Sequence, residues 1–219
     1  METILTAFEA LEFLKKKEFP VLESKIAKKE EEALFYAKEI GFPVTLKISS
    51  KKVIHKSEIR GVRTFIVDAE GVRRAFRDLL DSFYSIFRED DLEGIIVQKM
   101  GFGFEMIVGV YEDINFGPVI MVGQGGIYVE DVGDVTFRLL PITERDATSM
   151  FEDISVSKVV RSKRIADFDV LKFLQFVKKV SDLATQRPEI KEMDLNPVFV
   201  SKEVMICDAR IRLLGARSV

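Results

Sequence analysis

Met193-Asp-Leu-Asn-Pro-Val-Phe-Val200 and Val204-Met-Ile-Cys-Asp-Ala-Arg-Ile211 each mix apolar and polar residues in the manner of a half-buried strand. The link between them, Ser201-Lys-Glu203, is polar, so the pair reads as a hairpin centred on Lys202. Asn196 and Asp208 are each six residues from that centre and therefore face one another, with Cβ atoms about 5 Å apart. Asp194 lies two residues along and shares their face. Three hard oxygen donors then converge, which suits Mg2+, an ion that takes one or two carboxylates and completes its shell with water and substrate phosphates. Spacing alone leaves a second reading open, a solvated hairpin face with a turn-favouring Asn-Pro.

The rest of the chain limits what such a hairpin can serve. At 219 residues the chain is one large domain or two small lobes, and its 47% hydrophobic content is enough for a proper core. Lys and Arg number 33 against 36 Asp and Glu, so no broad cationic field exists for nucleic acid or anionic lipid, and neither is expected as a partner. Cys207 is the only cysteine, no apolar leader is visible at the N-terminus, and no stretch approaches the ~20 apolar residues of a membrane span. These features predict a cytoplasmic protein.

Apolar side chains at Ile4, Phe8, Leu11 and Leu14 predict a helix over 3–18, and Leu34, Ala37 and Ile40 a second over 29–40, stopped by Gly41 and Pro43. Strands are expected at 44–49 and 64–67, a helix through Val72, Phe76, Leu79, Leu80 and Phe83, then short strands at 94–100, 105–111, 118–122 and 135–139. Thr143 and Asp146 form a helix-cap signal, and Val170, Leu174, Val177 and Val180 outline a helix over 168–185. No steady βαβ rhythm appears, so the expected architecture is α+β (α/β in two lobes). The lobes are expected over 1–92 and 93–219, divided at the Arg88–Glu93 charge run, with residues 1–20 able to pack on the second lobe.

His55 is the only histidine and follows a strand in the polar stretch Ser50–Arg63. A solitary histidine is commonly a structural or solvated residue, but imidazole also titrates near neutrality and can attack phosphorus or carbonyl carbon. A serine or cysteine hydrolase is disfavoured, because no Gly-x-Ser-x-Gly elbow occurs and Cys207 falls inside an expected strand. Lys47 interrupts the apolar strand Val44-Thr-Leu-Lys-Ile48; it belongs either to a solvated face or to a cleft where its ammonium meets phosphate oxygens. The glycine-rich segment 116–130 holds a Gly-x-Gly-Gly that could form a backbone N–H nest for an anion, but it lacks the helix and the Gly-Lys-Ser/Thr of a Walker loop and taken alone reads as a hairpin turn.

Taken together, these segments resemble the β subunit of ADP-forming acetyl-CoA synthetase, an NDP-forming acyl-CoA synthetase of the ATP-grasp family related to the β subunit of succinyl-CoA synthetase. The resemblance rests on Gly41-Phe-Pro-Val-Thr-Leu-Lys-Ile-Ser-Ser50 with His55-Lys-Ser-Glu-Ile-Arg-Gly-Val62, and on Glu105-Met-Ile-Val-Gly-Val110 with Phe116-Gly-Pro-Val-Ile-Met121. It continues through Gly125-Gly-Ile-Tyr-Val-Glu130 with Asp134, Arg138 and Pro141, and ends in Glu192-Met-Asp-Leu-Asn-Pro197 with Asp208-Ala-Arg210. It covers nearly the whole chain in order.

The resemblance implies an ATP-grasp fold with the nucleotide in the cleft between two lobes. It implies that Lys47 contacts ATP phosphates, that Gln98, Lys99 and Met100 form the linker whose backbone reads adenine, and that Glu105 faces the nucleotide. Asn196 and Asp208, with Asp194, would bind Mg2+, and His55 would relay phosphate. The implied reaction is acyl-CoA + ADP + phosphate ⇌ acid + CoA + ATP, with ATP/ADP and Mg2+ as cofactors and a CoA-binding α subunit completing a heterotetramer. Two positions depart from the pattern. Arg60-Gly61 stands where the family has Gly-Gly, and Val156–Arg164 replaces a glycine-arginine-glycine loop. These departures keep an alternative in play, a degenerate ATP-grasp module that binds nucleotide or a partner for regulation.

Overall fold

The computed structural model describes residues 2–53, 59–126, 133–162 and 167–215. Its contacts divide the chain into two compact units, Leu5–Lys17 with Val21–Gly101, and Met1–Ile4 with Glu18–Pro20 and Phe102–Val219.

The first unit is a four-stranded antiparallel sheet with helices. In chain order it contains α1 (Ala7–Lys16), β2 (Ser24–Ala27), α2 (Glu30–Ile40), β3 (Val44–Ser50), β4 (Val62–Ile66), α3 (Ala69–Tyr84) and β5 (Leu92–Lys99). The strand order is β2-β5-β3-β4. Ala33, Ala37 and Ile40 of α2 and Val72, Phe76, Leu79 and Phe83 of α3 pack on Leu46, Ile48, Ile95 and Val97, which forms the core on one face. Alternation turns Thr45, Lys47 and Ser49 to the opposite face. There the Phe8 amide of α1 donates to Ser49 Oγ at 3.3 Å.

The expected helix over 3–18 is shorter because its start is chemically fixed. Thr6 Oγ1 accepts from the Glu9 amide at 3.1 Å, and Glu9 Oε2 accepts from the Thr6 amide at 2.8 Å. This capping box leaves Glu2–Ile4 to form strand β1. The division between units also differs from the one expected at Arg88–Glu93. That run holds a 3₁₀ turn, Glu89–Asp91, and the first residues of β5, an interior strand paired with both β2 and β3. The first unit therefore extends to Gly101. Within the first twenty residues, Met1–Ile4 and Glu18–Pro20 belong to the second unit and α1 to the first.

The second unit contains β1, β6 (Phe104–Asp113), β7 (Gly117–Gln124), β8 (Val135–Leu139), α4 (Glu144–Asp153), α5 (Val156–Arg161), α6 (Val170–Gln186), β9 (Ile190–Val200), β10 (Val204–Ile206) and β11 (Ala209–Leu214). Its antiparallel sheet runs β1-β11-β9-β6-β7-β8, with β10 also paired to β9. Aromatic rings of Phe151, Phe168 and Phe173 meet beneath it. Phe19 packs edge-on against Phe176 at 5.9 Å, which ties the short Glu18–Pro20 segment to α6.

Two motif residues have architectural work here. Arg138 Nη2 donates to Asp153 Oδ2 at 2.7 Å and to Ser149 Oγ at 3.0 Å, fastening β8 to α4. The Asp134 carboxylate accepts from the Ser155 amide at 2.9 Å at the entry to α5. The stretch that stands in place of the family's glycine-arginine-glycine loop is helix through Arg161; Val156 and Ser157 are buried and Arg161 pairs with Glu152. Lys163 and Arg164 lie outside the described residues. Among the described residues no helix is long and apolar enough to cross a membrane.

Candidate functional site

In the C-terminal hairpin the register is centred where the sequence puts it. Val204 pairs with Val200 and Ile206 with Val198 in β10–β9, and Ala209 with Leu195 and Arg210 with Asp194 in β11–β9. Between these ladders the Asn196 amide donates to the Asp208 carbonyl at 3.2 Å. Asn196 and Asp208 are therefore opposite, and Asp194 and Arg210 form the next pair on the same face.

Burial shows which face this is. Met193 and Leu195 are buried on β9, then Val198 and Val200, so the exposed set changes parity at Asn196–Pro197. Asn196 is exposed and Asp194 and Asp208 are half-buried. The Ala209 amide donates to Asp208 Oδ1 at 3.0 Å, orienting that carboxylate. Farther along, Arg212 Nε donates to Glu192 at 3.0 Å and Arg212 Nη1 to Glu2 at 3.2 Å.

Glu105 stands on β6, opposite Phe199 of β9. Its carbonyl accepts from the Gly125 amide at 2.7 Å. A Cβ at Gly125 would come within 2.9 Å of the Glu105 backbone, so only glycine permits this approach. Its Oε2 lies 3.8 Å from where a Cβ of Gly126 would sit, so the glycine pair and the carboxylate are neighbours.

The first unit presents its candidates differently. Every residue of β3 is buried, and Lys47 is only 3% exposed between Ile96 of β5 and Val62 of β4. A lysine so enclosed belongs to a built polar environment, not to a solvated strand face. Gln98, expected in an adenine-reading linker, lies inside the sheet: β2 and β3 flank it, and its fully buried amide donates to Ser24 Oγ at 2.9 Å. The amides of Lys99 and Met100 donate to the carbonyls of Glu23 at 2.9 Å and Pro43 at 3.3 Å. Met100 Sδ also receives the Thr45 hydroxyl at 3.8 Å. His55 lies outside the described residues.

Sequence reasoning assigned no role to Ser24, Ser49, Glu93 or Arg210. Ser49 Oγ donates to Glu93 Oε2 at 2.6 Å; its place on the Lys47 face was readable from strand alternation, but its partner 44 residues away was not. Arg210 was readable from the same hairpin arithmetic that found Asp208. Among the described residues no group of three or more His, Cys, Asp or Glu forms a metal cluster. Two carboxylates and one amide oxygen fall below that count yet suffice for Mg2+, which shares its shell with water and phosphate.

A mixed chain of two units, each an antiparallel sheet with helices, is the architecture of nucleotide-grasping folds. A family model described as an ATP-grasp domain matches residues 1–213. The chain is 41% identical over 210 residues to the β subunit of acetate–CoA ligase [ADP-forming] I of Pyrococcus furiosus, covering 94% of this chain and 90% of that one. It is 38% identical over 221 residues to the corresponding β subunit of ligase II of the same organism, covering 97% and 93%. Among solved structures, acetyl-coenzyme A synthetase 1 of Ca. Korarchaeum cryptofilum, in complex with coenzyme A, Ca-AMPCP and HgCl+, superposes with a TM-score of 0.90 at 37% identity, covering 96% and 93%. The chain belongs to the ATP-grasp family, in the group formed by β subunits of ADP-forming acetate–CoA ligases.

Proposed function

We propose that this chain is the nucleotide-binding β subunit of an ADP-forming acyl-CoA synthetase, working in the cytoplasm with a CoA-binding α subunit in a heterotetramer. The overall reaction is acyl-CoA + ADP + phosphate ⇌ acid + CoA + ATP, and this chain carries its last step. A phosphoryl group held on an imidazole nitrogen of His55 passes to a β-phosphate oxygen of ADP. The N–P bond breaks as the O–P bond forms, and the imidazole nitrogen keeps the electron pair.

The observation that carries this reading is the C-terminal register, which sets Asn196 against Asp208 with Asp194 on the same face. Asp208, Asn196 and Asp194 would hold Mg2+, and all three offer the hard oxygens that ion prefers. When bound, Mg2+ neutralises charge on the phosphate oxygens. Lys47 adds a compact cation, and its enclosure at 3% exposure makes it stronger toward phosphate than a solvated lysine would be. Lys99, Met100 and the buried Gln98–Ser24 pair would shape the adenine end, and Glu105 beside Gly125 and Gly126 would face the nucleotide.

The test is phosphoryl labelling. Purified chain incubated with Mg-ATP labelled at the γ-phosphate, alone and with the α subunit, should acquire an acid-labile label. His55→Asn should abolish the label while nucleotide binding persists. Nucleotide binding without label under both conditions would instead support a regulatory nucleotide-binding module, a reading favoured by Arg60, which holds φ 51° where the family pattern has glycine.

A further inference from the structure

Four side chains on the C-terminal sheet form an unequal ladder of charge. Arg212 is engaged by two carboxylates, with Nε on Glu192 Oε2 at 3.0 Å and Nη1 on Glu2 Oε1 at 3.2 Å. Arg210 is not. Its ion pair with Glu192 spans 3.7 Å from Nη1 to Oε1, beyond hydrogen-bond range, and Glu192 already serves Arg212. Among the described residues, Arg210 Nε is the one buried side-chain nitrogen or oxygen without a hydrogen-bond partner. A guanidinium offers five donors in a fixed fork, and leaving one buried and unmatched opposes folding.

Position gives this under-used cation a use. Arg210 pairs with Asp194 across β11–β9 and lies two residues beyond Asp208, on the face that carries Asn196. That separation is about 7 Å along a strand, within the length of an arginine side chain. Asp194 and Asp208 bring two negative charges to the face, and an ion held there would be shared with phosphate, which adds more. Arg212 is held by Glu192 and Glu2, whereas Arg210 makes only the long contact with Glu192 and keeps its buried Nε unmatched.

Building on the proposed nucleotide site, we infer that Arg210 binds the terminal phosphoryl group. Its fork leaves the long contact with Glu192 and closes on two phosphoryl oxygens, gaining the bidentate charge-assisted bonds that the resting arrangement lacks. Arg210 thereby distinguishes a nucleoside triphosphate from a diphosphate, and Arg212 two residues further on braces the sheet.

Calorimetric titration of the full chain in Mg2+ buffer tests this, using ADP and a non-hydrolysable ATP analogue with a methylene bridge. In Arg210→Met the analogue should lose about tenfold in affinity, or about 1.4 kcal/mol, while ADP loses less than about threefold. Arg210→Lys keeps the charge but not the fork and should cost the analogue about threefold selectively. Arg212→Met should lower the melting temperature without changing the ratio between the two nucleotides. Equal losses for both nucleotides in Arg210→Met, or no loss, overturn the inference and leave the nucleotide site intact. Failure of wild type to bind either nucleotide fails the site reading, and the inference falls with it. Should Arg210→Met not fold, an unchanged ratio in Arg210→Lys is the overturning result.

Discussion

Strands β3 and β9 carry the same kind of sequence, polar residues set into an apolar run, and the molecule treats them in opposite ways. On β3, Thr45, Lys47 and Ser49 are 7%, 3% and 0% exposed; Ser49 meets the Phe8 amide of α1 and Glu93 of β5, and Thr45 donates to Met100 Sδ. On β9, Asn196 is exposed and Asp194 half-buried. Enclosure strengthens a cation's pull on an anion but makes each polar atom answerable to a neighbour, so the β3 set is bound up with the fold. Half-exposed or exposed oxygens are less tightly tied to the fold than buried ones. The contrast separates two expected mutational outcomes: loss of the proposed ligand at Asp194, Asn196 and Asp208, and loss of stability on β3.

The sharpest way to break this comparison is Asp208→Ala. If Asp208, just before β11, supplies ligand oxygen as its main role, affinity for Mg-ADP should fall by about 100-fold or more, with the melting temperature of the unliganded chain nearly unchanged. A thermal-shift titration with and without Mg-ADP reads both quantities. Collapse of the unliganded melting temperature would show that the C-terminal face is as structural as β3.

Ser49→Ala examines the other half. It removes the acceptor of the Phe8 amide and the donor to Glu93 Oε2 in a position with no exposure. The cost should be about 1–3 kcal/mol, and urea unfolding should record it as a lower midpoint at constant slope. A cost below about 0.5 kcal/mol, the size of an ordinary surface change, would mean that the buried polar line is dispensable.

The two regions also differ in how far the sequence exposed them. Hairpin pairing is local arithmetic: a polar link at Ser201–Glu203 fixes its centre, and the partners of Asn196 and Asp194 follow from counting. The ATP-grasp architecture was legible from motifs standing in order. The partners of Gln98 and Ser49 were not, because Ser24 and Glu93 reach them only through non-local pairing of β2 with β5 and of β3 with β5. β2 itself, only four residues long, gave too little alternation to read. The division between units was misplaced for a related reason. A charge run signals solvent, but it cannot say to which sheet the next strand belongs, and β5 is claimed by neighbours on both sides.

Arg60 refines the comparison at the end of the segment that carries His55. It is exposed with φ 51°, and its carbonyl accepts from Arg63 Nη1 at 2.5 Å. A left-handed backbone at a non-glycine residue costs about 1–2 kcal/mol that glycine would not incur. Glycine also loses more entropy on folding, by about 0.5–1 kcal/mol. Arg60→Gly should therefore stabilise the chain slightly, by less than about 1 kcal/mol. Destabilisation beyond that figure in thermal unfolding would show that the arginine side chain, like the residues of β3, is anchored in the fold.

The smallest effect is a pH dependence rooted in neither strand. Hydrogen bonds from Arg138 and Thr136 hold the Asp153 carboxyl below the ordinary carboxylate range. A carboxyl whose folded-state pKa is depressed contributes stability that is complete above the unfolded value of about 3.9 and is lost as pH falls through the lower folded value. Asp153 is close to half exposed, so water screens the pair and the contribution is small. Melting curves of wild type and Asp153→Asn, collected from pH 7 down to about pH 2, should show a modest gap that is constant near neutrality and narrows below about pH 4. A gap that widened on acidification would reverse the sign, and the link between β8 and α4 would then owe nothing to ionised Asp153.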